Sequence, residues 1–317
     1  MGLSLGCAGP IPLGDTGCRT LLKASVFRHV VVIGDEEVQM AAATGWHDFE
    51  MPACDAVVLE PACFYSGRVL ADLLDTAWTA VMPGGALFIY GWSWPTRREI
   101  IQAFLAGKHG CLFTVACQDG LAVVVKPRNL EAVDIAAVLW GMNAYGSAAA
   151  PPWSNSYAQY GLSAIVRPRK ILEVGVLRGF SGAALVLGSG VAEVYVGVDN
   201  GAEGDVLHDT RETFLRSGCP LIPAIVIGDS STAEIPVADV DLLHLDAGHD
   251  IDSVFKDLVR YWPYVRAGGV VWVDDWLQMS VRNGIHRFMS EEYRGPCFIL
   301  ETETGGYGIV KTQAANV

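Results

Sequence analysis

The stretch "HLDAGHD", His244 to Asp250, sets two carboxylates and two imidazoles directly behind the apolar run "VDLL". Further along, "GGVVWVDD" ends another apolar run in Asp274 and Asp275. Carboxylates brought together at neighbouring strand ends repel one another unless something neutralises them. A hard divalent cation with oxygen ligands, such as Mg2+, does so and keeps positions open for water or substrate oxygens. Asp246, Asp274 and Asp275 are therefore candidate metal ligands. A cation beside a hydroxyl oxygen lowers the cost of deprotonation, and a base within reach takes the proton. His249, three residues past Asp246, has the ordinary pKa that suits that task, and it is the candidate catalytic base. Bland roles compete with these. Asp275 could cap a helix after "DDW", His249 could be a plain loop residue, and His244, inside the strand, reads as a satisfied core histidine.

A second constellation lies upstream. "ILEVGVLRGFSG" places Glu173, Gly175 and Gly179 where a strand gives way to a helix, so that backbone and free N–H groups approach a ligand. The spacing E-x-G-x-x-x-G is not the G-x-G-x-x-G of a dinucleotide site, which disfavours a dinucleotide cofactor. Asp199 ends the next strand, where a carboxylate can accept two ribose hydroxyls. Asp229 ends a third strand, within reach of an adenine.

Regular punctuation positions both groups. "KILEV", "EVYVGVD", "IPAIVIGD", "VDLLHLD" and "GVVWVDD" are β-branched apolar runs ending at Gly or Asp. Helix-compatible stretches separate them. In "SVFKDLVRYW" the residues Val254, Phe255, Leu258, Val259 and Trp262 form an apolar stripe at helical period, and another helix opens with Asp209 and Glu212 in capping-box spacing. Strands alternating with helices predict an α/β fold, a Rossmann-like, doubly wound parallel sheet. "PCFILETETGGYGIVKT" predicts a terminal hairpin. In such sheets ligands bind at the carboxyl ends of the strands, where all the candidate residues fall.

From residue 165 to 317 this order of motifs resembles the class I S-adenosylmethionine (SAM)-dependent methyltransferases. The resemblance implies SAM as cofactor, with Gly175, Gly179 and Ser181 along its methionine and ribose portion, Glu173 near its amino group, Asp199 on the ribose, Asp229 beside the adenine and Asp246 at the cleft. "HLDAGHD" with "GGVVWVDDW" is further similar to the metal-dependent sugar O-methyltransferases of antibiotic biosynthesis, whose motif is roughly D-G-x-H followed by L-x-x-G-G-x-x-x-x-D-D. That likeness implies Mg2+ on Asp246, Asp274 and Asp275, His249 as base, a glycosylated small-molecule acceptor, an N-terminal auxiliary domain and a homo-oligomer. Ala247, Gly248 and Ile251 depart from the pattern, and the Asp that one branch uses as base at the position of Gly248 is absent. Two other functions remain open: a catechol-type metal-dependent O-methyltransferase, and a SAM-binding scaffold that transfers nothing.

The first half repeats the last part of the plan. "CDAVVLEPACF" sits against "VDLLHLDAGHD", "AVMPGGALFIYGW" against "YVRAGGVVWVDDW", and "CLFTVACQDGLAVVVKP" against the terminal hairpin. On this alignment Glu60 meets Asp246, Cys63 meets His249, and Tyr90 and Gly91 meet Asp274 and Asp275. The expectation is a smaller, degenerate Rossmann-like auxiliary domain over residues 1–142, ending in a connecting helix at 129–142. A linker or lid follows over 143–164, and the methyltransferase domain spans 165–317. Net charge is −13, shared by both halves, with no basic patch for nucleic acid. No apolar run approaches the roughly 18 to 20 residues of a membrane span. The N-terminus lacks the basic and apolar regions of a secretion signal. Eight cysteines without a CxxC pair argue against a zinc or disulfide scaffold and point to a reducing cytoplasm.

Overall fold

The computed structural model describes residues 20–22, 24–25, 27–34, 51–60, 67–106, 108, 110–117, 120–128, 155–302 and 304–312. Strands β1 (Val30–Ile33), β2 (Cys54–Leu59) and β3 (Val81–Tyr90) pair in parallel, with helix α1 (Gly67–Ala80) crossing between β2 and β3. Helix α2 (Pro95–Leu105) then leads to the antiparallel hairpin β4 (Cys111–Val115) and β5 (Leu121–Val125), and β5 lies against β3. The second half runs α3 (Asn155–Val166), β6 (Lys170–Val174), α4 (Phe180–Ser189), β7 (Val194–Asp199), α5 (Val206–Arg216), β8 (Ala224–Ile227), β9 (Val240–Leu245), α6 (Ile251–Tyr261), β10 (Val265–Val273) and α7 (Met279–Glu291). It closes with the hairpin β11 (Cys297–Leu300) and β12 (Gly306–Val310).

The twelve strands among the described residues belong to one sheet, in the order β1-β2-β3-β5-β4-β11-β12-β10-β9-β6-β7-β8. β8, β7, β6, β9 and β10 are parallel, as the alternating pattern predicts, and β12 and β11 add the antiparallel hairpin. Parallel strands covered on both faces must be apolar almost throughout, and Ile171, Leu172, Leu242, Leu243, Val270 and Val271 are completely buried. One face of the sheet carries a core common to both halves, in which Val58, Phe88 and Val123 belong to the same cluster as Leu162, Val186 and Trp272. No helix among the described residues is long and apolar enough to cross a membrane.

Two local expectations change. Residues 155–164, where composition suggests part of a linker, form most of α3, and most of that helix is buried. Its small residues serve close packing. A Cβ on Gly161 would stand 2.4 Å from the Phe113 ring of β4, and one on Gly188 of α4 would stand 2.2 Å from the Tyr160 carbonyl oxygen. The helix is thus wedged between the two halves of the chain. Helix α5 begins three residues before Asp209, because the Asp205 carboxylate accepts a hydrogen bond from the His208 N–H and so supplies the cap. The expected connecting helix at 129–142 and residues 143–154 of the expected linker lie outside the described residues.

Truncating Leu162, which is fully buried in the shared core, tests the wedge. Leu162→Ala is expected to cost about 2–5 kcal/mol in urea unfolding, whereas a lid residue would tolerate the change.

Candidate active site

Each polar side chain of "HLDAGHD" has its own place. His244 lies inside β9 and is completely buried. Asp250 is the N-cap of α6, its carboxylate accepting from the N–H groups of Asp252 and Ser253. Asp246 and His249 remain at the open end of the strand and meet Asp275 from the end of β10. His249 Nε2 lies 2.8 Å from Asp275 Oδ2 and 3.5 Å from Asp246 Oδ1. One ligand atom from each of the three lies within 4.8 Å of the other two. Adjacent parallel strands do this: Leu245 pairs with Val273, so the residues just beyond them emerge side by side. A Cβ at Gly248 would stand 2.6 Å from Ser253 Cβ, so an aspartate base at that position has no room.

Asp275 caps no helix. The cap position of α7 is Gln278, and the Gln278 N–H instead donates to the Asp275 carbonyl. Asp275 itself sits at φ 58°, left-handed and unusual for a residue with a side chain. The turn is held by bonds from the Trp276 N–H to the Gly305 carbonyl and from the Leu277 N–H to the Thr304 carbonyl.

Asp274 points the other way. It is buried, and its carboxylate accepts from Asn155 Nδ2 at 3.0 and 3.1 Å, from Thr304 Oγ1 at 2.7 Å and from the Asp275 N–H at 2.8 Å. The open cluster that the structure assembles is therefore Asp246, His249 and Asp275, which could hold a metal ion, with Asp274 as a strut beneath it. Below that strut His244 Nε2 lies 3.7 Å from Asp274 Oδ2, and His244 Nδ1 lies 2.9 Å from Glu173 Oε1. Burial alone would strip the His244 proton, but its bonds to Asp274 and Glu173 hold its pKa up at about 10. Sequence singles out neither Asn155 nor Thr304, since both reach Asp274 from distant parts of the chain and no local pattern marks them.

The glycine cradle stands beside this cluster. A Cβ on Gly175, at φ 88°, would lie 1.8 Å from the Asp246 carbonyl oxygen, so only glycine lets the ends of β6 and β9 abut. Gly179, also left-handed, begins α4. Asp199 Oδ2 accepts from the N–H groups of Val176 and Leu177, and Oδ1 from Gly201, which fixes the loop after β6. Glu173 is fully buried, with Oε1 receiving Ser181 Oγ and His244 and Oε2 receiving the Tyr195 hydroxyl. Glu173 and Ser181 thus form the floor of the cradle. Asp229 ends β8 in an exposed turn closed by Ser231, whose hydroxyl and N–H hold its carboxyl below the usual range.

Residues 172–276 match the family model described as a methyltransferase domain. That match lies inside residues 165–317, the stretch whose motifs resemble the methyltransferases. Among solved structures, cofactor-bound Rv0187 from MTB is 18% identical with a TM-score of 0.44, over 58% of this chain and 94% of that one. TomG of Streptomyces achromogenes, an O-methyltransferase involved in tomaymycin synthesis and solved with SAM, is 17% identical with a TM-score of 0.43, over 56% and 87%. A SAM-dependent O-methyltransferase from Thermotoga maritima is 12% identical with a TM-score of 0.47, over 69% and 83%. At these values the likenesses fix neither the fold nor the chemistry of this chain. No curated protein matches it.

Charge in the open cluster is shared unevenly. Burial pushes the Asp246 carboxyl up, but the His249 hydrogen bond and the charges of His244 and His249 outweigh it and hold it low. Burial and the neighbouring Asp274 and Asp246 push the Asp275 carboxyl up. Its bond to Asp246 raises the His249 pKa, against partial burial. A histidine raised on folding adds stability below its unfolded value of about 6.5, and that contribution is lost as pH climbs through the higher folded value. In metal-free protein the NMR titration of His249 should therefore have its midpoint above that unfolded value and fall on Asp246→Asn. A midpoint at or below it would show that the cluster is not closed in solution.

Proposed function

We propose that the protein is a SAM-dependent O-methyltransferase that uses a divalent cation, Mg2+ in the first instance, to methylate a hydroxyl of a glycosylated small molecule. The observation that carries this reading is the shared wall between cradle and cluster, where the Gly175 backbone abuts the Asp246 carbonyl. A methyl donor on one side of that wall lies next to an oxygen nucleophile on the other. The two carboxylates fit a cation: Asp246 and Asp275 converge within 4.8 Å beside the His249 imidazole, and all three side chains are partly open to solvent. Asp274 belongs to the support, because its oxygens are taken by Asn155, Thr304 and the Asp275 N–H.

A bound divalent cation supplies charge that neutralises the carboxylates and lowers the cost of taking a proton from a nearby hydroxyl. Asp246 and Asp275 would hold it. His249 owes its raised pKa to those same carboxylates, so with their charge engaged Nε2 is free to accept the hydroxyl proton. SAM, when bound, would supply the methyl group to the acceptor oxygen and leave as its thioether, and His249 would hold the acceptor's proton. Gly175, Gly179 and the loop pinned by Asp199 would cradle the donor. Residues 1–142 form, in this reading, an auxiliary domain outside the chemistry, in a cytoplasmic enzyme.

The glycosylated acceptor is supported by the D-x-x-H and D-D likeness, and comparing turnover on sugar diols and on catechols separates it from a catechol-type acceptor. Asp275→Asn is expected to lower turnover at least about 100-fold, as loss of one charge-stabilising group does, with SAM affinity by calorimetry nearly unchanged. Full activity of the wild-type protein in EDTA would end the metal reading, and activity restored by Mg2+ after EDTA treatment would support it.

A further inference from the structure

The seam between the two halves carries information that the candidate site does not use. β4 and β11 are antiparallel, and the pair at their crossing is Val115 with Leu300. It is flanked by a bond from the Ala116 N–H to the Ile299 carbonyl and one from the Glu301 N–H to the Thr114 carbonyl, both 2.9 Å. Strand registers define equivalent positions independently of sequence. Ile33 pairs with Leu59 and Val174 with Leu245; Leu59 pairs with Ile89 and Leu245 with Val273. Ile89 pairs with Ala122 and Val273 with Tyr307; Leu121 pairs with Val115 and Gly306 with Leu300. Carried through, these ladders make Val115 the counterpart of Leu300, the very residue it faces. The two flanking bonds are likewise counterparts of each other. An interface in which each residue meets its own equivalent is the mark of two-fold symmetry.

The same correspondence recurs in bonds far from the seam. Asp55 Oδ2 accepts from the N–H groups of Arg28 and His29, and Asp241 Oδ2 from those of Arg169 and Lys170, all at 2.8 Å. Lys126 Nζ donates to the carbonyls of Trp78 and Val81 at 2.7 and 2.8 Å, and Lys311 Nζ to those of Trp262 and Val265 at 2.8 and 2.7 Å. Each lysine lies 5.3 Å from the centre of the matching tryptophan ring. Arg98 Nε donates to the Trp92 carbonyl while its guanidinium lies over that ring, and Arg282 does the same at Trp276. Gly84 and Gly268 share a left-handed φ of 84° and 79°, and Gly120 and Gly305 one of 67° and 73°.

Among the described residues one acid recurs, Glu60 at the position of Asp246, and the other chemical groups do not. Val32 and Val58 stand where the second half has Glu173 and His244, and Tyr90 and Gly91 stand where it has Asp274 and Asp275. We infer that the first half is a truncated second copy of the second-half unit, stripped of Glu173, His244, Asp274 and Asp275, which pairs with it inside one chain as the partner in a built-in two-fold dimer whose seam is β4 against β11. The copy occupies the β11 edge that a lone unit would leave unpaired. This inference does not depend on the reaction proposed above.

Two measurements on the full-length chain test it. A non-hydrogen-bonded antiparallel pair brings Cα atoms to about 4.5 Å, within disulfide reach. The double variant Val115→Cys, Leu300→Cys should therefore form, on mild oxidation, a disulfide between those two residues within a single chain. A bond joining two chains, or none at all in a variant that keeps the wild-type circular dichroism, would overturn the built-in pair. For the copy, Lys126→Met and Lys311→Met should each lower Tm by a similar amount, about 2–4 °C. A drop confined to one of the two would overturn the equivalence of the halves.

Discussion

Everything at the candidate site stands on one buried imidazole. His244 sits between two carboxylates that are themselves out of solvent, Glu173 under the glycine cradle and Asp274 under the open cluster. Two buried anions so close would be costly. A protonated ring between them offsets both, and Ser181, Tyr195, Asn155 and Thr304 occupy the remaining acceptor positions. The register makes this possible, because Glu173 and Trp272 both pair with His244 across adjacent strands. With the lower layer closed, Asp246, His249 and Asp275 are left to face outward.

Backbone strain marks the same edge at Asp275. The turn after β10 needs a residue with positive φ, and the corresponding turn after β3 supplies it with Gly91 at 85°. In the second half that position is Asp275, at 58°. Asp tolerates the left-handed region better than most side chains do, yet it still costs of order 1–2 kcal/mol relative to glycine. The side chain also caps no helix, so local stability does not account for it. A strained carboxylate aimed at a histidine and a second carboxylate is accounted for by chemistry at that point.

Much of this was legible in the letters, for reasons that differ by residue. The parallel strands announce themselves because a strand buried on both faces must be a β-branched run, and the loops at their ends must then hold the polar groups. Asp246, His249 and Asp275 are visible on that ground alone. Asp274 was legible as a position and not as a role, since two adjacent acids look alike in sequence while a strand end sends one inward and one outward. Asn155 and Thr304, which hold it, become neighbours only through the packing of α3 and the terminal hairpin. That helix was hidden because Gly, Ser and Ala suit a linker as well as a close contact, and only Phe113 and Tyr160 across the interface decide between them.

The contrast between the halves also separates scaffold from function without any alignment of relatives. What the two copies share is what the fold needs: an aspartate tying the strand that opens the unit, a lysine closing the hairpin onto the helix end, and left-handed glycines at the turns of Gly84 and Gly268 and of Gly120 and Gly305. In the strands that both halves have, the missing chemical groups lie at the carboxyl edge of β6, β9 and β10; the second half further carries β7 and β8, which have no counterpart among the described residues of the first. Had Glu173, His244, Asp274 and Asp275 been structural requirements of the unit, the first half would need them as well, yet it packs a continuous core around Val58, Phe88 and Val123 without them. The costly groups persist only where cradle and cluster meet, and their expense is therefore charged to what they bind and not to how the chain folds.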